Sequence, residues 1–182
     1  MTTSFYNAHY IMRRKDPTSL RIIDLWSFRS NKTHKRYIVE IEGFESEFYG
    51  IKFYWKGVEK SPNRYSLLTN DYEPRIIVRT CVEIMLHYYR LNPLASFGFV
   101  AAPDLESDLR SHHGEIGRLN RRYILYKRLM LNWFGSQTFL QVSDTGNTIY
   151  LLVNQAQLAS GSITISDIER QINQIYTGDY TF

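Results

Sequence analysis

"HKRYIVEIEGFESEFYGIKFYWK" (residues 34–56) decides the fold. Tyr37, Val39 and Ile41 alternate with Ile38, Glu40 and Glu42. Beyond the short connection GFES, Tyr49, Ile51, Phe53 and Trp55 alternate with Lys52, Tyr54 and Lys56. Successive side chains leave a pleated backbone on opposite sides, so a period of two in β-branched and aromatic residues marks half-buried strands. A short polar connection makes such neighbours antiparallel. Working outward, LRIIDLWSF (20–28) supplies a preceding strand across RSNKT, and RYSLLT (64–69) a shorter fourth across GVEKSPN. The first 70 residues therefore predict an antiparallel β-meander whose charged side chains face outward.

After residue 70 the period lengthens. In EPRIIVRTCVEIMLHYYRLNP (73–93), Ile77, Cys81, Ile84, Tyr88 and Leu91 recur at helical spacing. Pro74 suits a first helical turn, and Pro93 disfavours helical geometry just before it. ASFGFVAAP (95–103) predicts a short central strand. A second helix follows over about 115 to 134, then TFLQVS and NTIYLLVN form a hairpin across DTGN, whose residues tolerate positive φ. A last helix opens on the capping pattern Thr164-x-x-Asp167 and buries Ile165, Ile168, Ile172 and Ile175. The expected class is α+β: an N-terminal antiparallel meander followed by α-β-α-β-β-α, one mixed sheet packed by about three helices. With 182 residues and no linker rich enough to divide it, residues 1–182 are expected to form a single domain.

The net charge of +4 hides two basic islands. Arg13 to Arg36 carries eight basic residues against Asp16 and Asp24, and Arg110 to Arg128 carries six against Glu115. The second island lies on the predicted helix in GRLNRRYILYKRLMLNWFG (117–135). At about 100° per residue, Ile116, Leu119, Tyr123, Tyr126, Met130, Trp133 and Phe134 share one stripe, the expected buried face. Arg118, Arg121, Arg122 and Arg128 gather on the other side, with Leu125 and Leu129 among them. No carboxylate stands three or four residues from Arg121, Arg122, Lys127 or Arg128. Arginine also suits bidentate contact with phosphate or carboxylate. Arg118, Arg121, Arg122, Leu125, Arg128 and Leu129 are thus the expected surface for an acidic partner, nucleic acid or protein. The competing expectation is that Glu40, Glu42, Glu45 and Glu47 of the same chain neutralise these arginines. A homodimer contact through them stays open as well.

Other chemistry has less support. Asp104, Glu106, Asp108, His112, His113 and Glu115 are dense, but their spacing matches no zinc pattern, and no metal is expected. Cys81, the one cysteine, falls on an apolar helical face, where a thiol without a base stays protonated. A nuclease centre would need clustered carboxylates and a lysine on neighbouring strands. Glu40, Glu42 and Lys52 could meet that need, but solvated outer faces of strands look the same. The start of the chain has no signal-peptide pattern, and no run of ~18 apolar residues occurs. A cytoplasmic protein without membrane contact is expected.

From residue 34 onward the order of three antiparallel strands, helix, strand, helix and strand pair resembles the second half of the GNAT acetyltransferase fold. RRYILYKRLMLNWFGSQTFLQV (121–142) looks like that family's helix-then-strand. The resemblance implies acyl transfer with Tyr126 as proton donor. That family's pyrophosphate loop would fall near NDYEPRIIVRT (70–80), which holds no glycine, so no cofactor is expected. Residues 75–135 also resemble small bacterial domains of unknown function. These share a helix ending at Asn-Pro, a short apolar strand, and a helix with Arg-x-x-x-Tyr, here Arg122 to Tyr126. The function expected first is a non-enzymatic binding or accessory protein, with a divergent GNAT-like acyltransferase as the alternative.

Overall fold

A computed structural model describes residues 5–19, 21–65, 73–100, 121–144 and 149–176. In chain order these form β1 (His9–Lys15), β2 (Ile22–Arg29), β3 (Arg36–Gly43), β4 (Phe48–Trp55), a 3-10 turn (Lys56–Val58) and α1 (Pro74–Leu91). Then come β5 (Ser96–Val100), α2 (Arg121–Phe134), β6 (Phe139–Ser143), β7 (Ile149–Asn154), α3 (Gln155–Ser160) and α4 (Ile165–Ile175). All seven strands join one mixed sheet in the order β1-β2-β3-β4-β5-β7-β6. The α+β class with an N-terminal antiparallel meander is as the sequence predicts.

Neighbours are antiparallel except β4 and β5, which run parallel across the α1 crossover. That pairing runs from Phe48↔Ser96 to Ile51↔Phe99. Beyond it β4 continues to Trp55, paired with Tyr37 of β3, while Val100 of β5 pairs with Ile149 of β7. Two helices pack on one face. There Tyr37, Val39, Ile41, Ile51, Phe97, Phe99, Tyr150 and Leu152 meet Val78, Val82 and Met85 of α1 and Tyr126 and Met130 of α2. Full burial of one such side chain contributes about 1.5–3 kcal/mol.

The other face divides into two zones. Over β4, β7 and β6, Phe48, Ile149, Leu151 and Val153 meet Ile168 and Ile172 of α4. Gly98 makes this approach possible, since a Cβ there would lie 2.9 Å from the Phe48 ring. The Thr164–Asp167 capping box closes the start of α4. Over β3 and β4 the same face carries the charges Glu40, Glu42 and Lys52.

The structure corrects four expectations. β3 is buried on both faces from Tyr37 to Glu42, so its charged residues do not face solvent. β1 was not among the expected strands: all seven of its residues are exposed, and a strand with no buried side shows no alternation. Arg64 and Tyr65, expected to open a fourth strand, lie in a turn, and 66–69 fall outside the described residues. A short helix, α3, follows β7 directly. Asn154 caps it by accepting from the Ala156 N–H, and Gly161 at φ 71° ends it.

Candidate functional site

The outer face of α2 is the first place to look for the expected partner surface. Arg118 lies outside the described residues. Arg121 and Arg122 open the described span of α2. Arg128 is exposed.

Two of the expected contact residues must be corrected. Leu129 is only 5% exposed and belongs to the core, and Leu125 is half-buried against it. The buried arc of α2 is turned toward Leu129 relative to the stripe expected from sequence, because the helix leans on Phe99 and Tyr150 of the sheet. Tyr126 packs its ring 5.5 Å from Phe99 and Tyr123 sits 5.7 Å from Tyr150. The aliphatic residues that do face outward are Ile124 and Leu131, 46% and 45% exposed. With the exposed Lys127 and Arg128 they form a stripe at i, i+3, i+4 and i+7. Neither Lys127 nor Arg128 makes an ion pair among the described residues. The nearest carboxylate-bearing helix, α1, uses Glu83 on Arg79 at 2.7 Å, with that guanidinium stacked 4.7 Å from the Trp133 ring.

Of the four acidic residues that could have neutralised α2, Glu40 and Glu42 are committed to other cations and Glu47 accepts from the Tyr49 hydroxyl, while Glu45 is exposed. Glu40 and Glu42, each 2% exposed, lie on the opposite face of the sheet from α2. Glu40 accepts from Arg14 at 3.0 Å and from the Tyr65 hydroxyl at 2.6 Å. Glu42 accepts from Arg21 at 3.0 Å, from Lys52 at 2.5 Å and from the Tyr176 hydroxyl. The Lys52 ammonium is bracketed by the Tyr65 and Tyr176 rings at 4.9 and 5.0 Å. Burial first, then the Glu40 charge, pushes the Tyr65 hydroxyl well above its ordinary range, so it stays protonated and donates. Burial likewise pushes Tyr54 up to about 12, with Glu40 the next cause.

Glu40, Glu42 and Lys52 are thus brought together as a nuclease centre would require. Their oxygens, however, are saturated by the chain's own cations and hydroxyls. That leaves no carboxylate oxygen directed at solvent, and among the described residues no set of three His, Cys, Asp or Glu could hold a metal ion. The arrangement is an internal ion network. No sequence signal distinguished it from a solvated face, because its partners come from β1, the connection to β2, the 56–65 segment and the end of α4.

On the sheet face toward α1, Asp24 of β2 is buried. Asp24 takes both Arg13 donors, at 2.8 and 3.0 Å, and the Tyr88 hydroxyl at 2.8 Å, which itself accepts from Trp26. Burial alone would raise the Asp24 carboxyl, but Arg13 and Tyr88 outweigh it and hold it below its ordinary value. Cys81 is fully buried and its thiol is pushed well up by that burial, as expected for packing rather than chemistry.

At the start of α1, where the acetyltransferase resemblance would seat a pyrophosphate, stands the protein's own Glu73. Its carboxylate accepts from the Tyr6 and Ser30 hydroxyls, both at 2.6 Å. Pro74 offers no N–H, and the Ile76 and Ile77 N–H groups are bound to the Glu73 carbonyl. An anion already at the helix start and a shortage of free amides do not fit coenzyme A.

No family model, curated protein or solved structure matches this chain.

The 104–115 loop, with its histidines and carboxylates, lies outside the described residues. Among the described residues, no helix is long and apolar enough to cross a membrane.

Proposed function

We propose that this chain is a non-enzymatic binding or accessory protein that holds an acidic partner against the outer face of α2. The observation that carries this reading is the exposed stripe Ile124, Lys127, Arg128 and Leu131. Two cations flanked by two aliphatic side chains suit an acidic protein surface better than a phosphate backbone, which gives Ile124 and Leu131 nothing to cover. Glu40 and Glu42 lie across the sheet and are consumed there, which supports an external anion.

Charge reversal by Lys127→Glu and Arg128→Glu should abolish capture of the partner, while Lys60→Glu on an exposed turn should leave it unchanged. Capture that survives the α2 reversals would remove the proposal. Binding of short nucleic acids that weakens steeply between low and moderate salt would replace the protein partner with a phosphate backbone.

A second reading, divergent acyl transfer, is favoured by one observation. The strand order places a helix-linked parallel pair, β4 and β5, within an otherwise antiparallel sheet, and their pairing stops at Ile51 and Phe99. Tyr126 lies beside Phe99 but is 1% exposed. The α1 start described above does not fit the cofactor, so no chemical step is derived. A rise in melting temperature with millimolar acetyl-CoA would support this reading, and its absence would remove it.

A further inference from the structure

We propose that the turn between β2 and β3, with the start of the 3-10 turn beside it, is a second binding surface that takes the phosphate backbone of a nucleic acid. It is built on different elements from α2, so it stands or falls independently of the function above.

Of the first basic island, Arg13, Arg14 and Arg21 are consumed by Asp24, Glu40 and Glu42. Others collect at one end of the sheet. Arg29 and Arg36 stand directly opposite each other on β2 and β3. In the next ladder Tyr37 pairs with Trp55, which brings Lys56, the following residue, toward Arg36. Arg29, Arg36 and Lys56 thus succeed one another across three strands, over about 10 Å at roughly 4.8 Å per strand. Lys32 adds a fourth cation from the turn. All four are exposed, and none makes an ion pair among the described residues. Within 29–36 and 56–60 the one acid is Glu59.

Two observations set this end apart from an ordinary solvated turn. Like charges directly opposite on neighbouring strands oppose folding, yet Arg29 and Arg36 keep that arrangement. The turn is also held in one shape. The Ser30 hydroxyl accepts from the Lys32 and Thr33 N–H groups at 3.2 and 3.0 Å and donates to the buried Glu73 at 2.6 Å. His34 takes φ 59° to close the turn, and its carbonyl accepts from Arg29 Nε at 3.1 Å. The cations are therefore presented with little ordering left to lose on binding.

The composition of the patch selects the occupant. None of the exposed large hydrophobic residues falls within 29–36 or 56–60, whereas α2 sets Ile124 and Leu131 beside its cations. A protein partner or a membrane surface gains from apolar groups to cover or insert, and this patch offers none. A phosphate backbone asks only for charge and for the paired donors of a guanidinium. Contacts of this kind read no base edge, so the binding is independent of nucleotide sequence.

The full chain titrated against a fluorescently labelled DNA duplex should bind at low salt. With four cations engaged it should lose about 100-fold in affinity between about 50 and 200 mM salt. Arg29→Gln with Arg36→Gln removes two contacts, so binding should weaken and the loss over that range should fall to about 10-fold. The same double variant relieves the cross-strand repulsion, so its melting temperature should hold or rise while binding falls. Lys127→Glu with Arg128→Glu should leave duplex binding and its salt dependence unchanged, which separates this surface from α2. No binding at low salt overturns the proposal, as does binding that the double glutamine variant leaves untouched. Binding abolished by the α2 reversals but not by the glutamine variant assigns the phosphates to α2 and overturns it too. Sedimentation with anionic phospholipid vesicles without duplex binding makes the surface a membrane contact, which also overturns it. Should the double glutamine variant fail to fold, Lys32→Gln with Lys56→Gln decides alone.

Discussion

The two faces of the N-terminal meander bury the same strands by different physics. Toward α1, residues Tyr37, Val39 and Ile41 of β3 meet aliphatic and aromatic neighbours, and the gain comes from removing apolar surface from water. On the reverse side the intervening residues Glu40 and Glu42 are buried just as deeply, yet they are charged. There burial is tolerated only because Arg14, Arg21, Lys52, Tyr65 and Tyr176 satisfy every carboxylate oxygen. The first face asks for shape and volume. The second asks for a complete set of partners drawn from distant parts of the chain, and it is correspondingly unforgiving of single losses.

The largest expected effect breaks that second face. Glu42→Leu leaves Lys52 and Arg21 without their shared anion and should cost about 3–5 kcal/mol in denaturant unfolding. Adding Lys52→Met should recover part of the loss, because the uncompensated buried charge goes with it. A single-variant cost below about 1 kcal/mol would mean the network is solvated, and the contrast between the faces would disappear.

On the apolar side of the same strand, Ile41→Val removes one methylene and should cost about 1 kcal/mol with no dependence on salt. A similar loss, about 1 kcal/mol, is expected for Thr164→Ala, which opens the capping box of the helix that covers the apolar zone beside the charges. Thr164→Ser, which keeps the hydroxyl, should restore most of it.

The smallest effect concerns pH. The Asp24 carboxyl is held below its ordinary value, so the stability it lends is complete above the unfolded-state pKa of about 4. It is lost as pH falls through the lower folded-state value. The stability gap between wild type and Asp24→Asn should therefore be widest near neutrality and close on acidification below pH about 4. Arg13 is largely exposed, and solvent screening keeps this gap small. A gap that widens in acid would contradict the bonds from Arg13 and Tyr88.

Much of the fold was legible along the chain. β2, β3 and β4 announce themselves by alternation, α1 by its helical spacing between Pro74 and Pro93, and α4 by its cap. β1 could not be seen because it has no buried side to pattern it. The candidate site was legible only in part. Helical periodicity put Arg128 on the outer face of α2, but it placed Leu125 and Leu129 outside and missed Ile124 and Leu131 as the exposed aliphatic pair. The actual rotation of α2 follows from how Tyr123 and Tyr126 seat on β7 and β5, a contact between residues more than twenty positions apart.

By itself, the sequence determined that β2, β3, β4, α1 and α4 form and in what order, because backbone periodicity and capping are local. Only the tertiary structure decided that Glu40, Glu42 and Lys52 lie inside rather than in water. Their neutralising partners stand between 10 and 134 residues away, and a charge's environment is set by what folds over it.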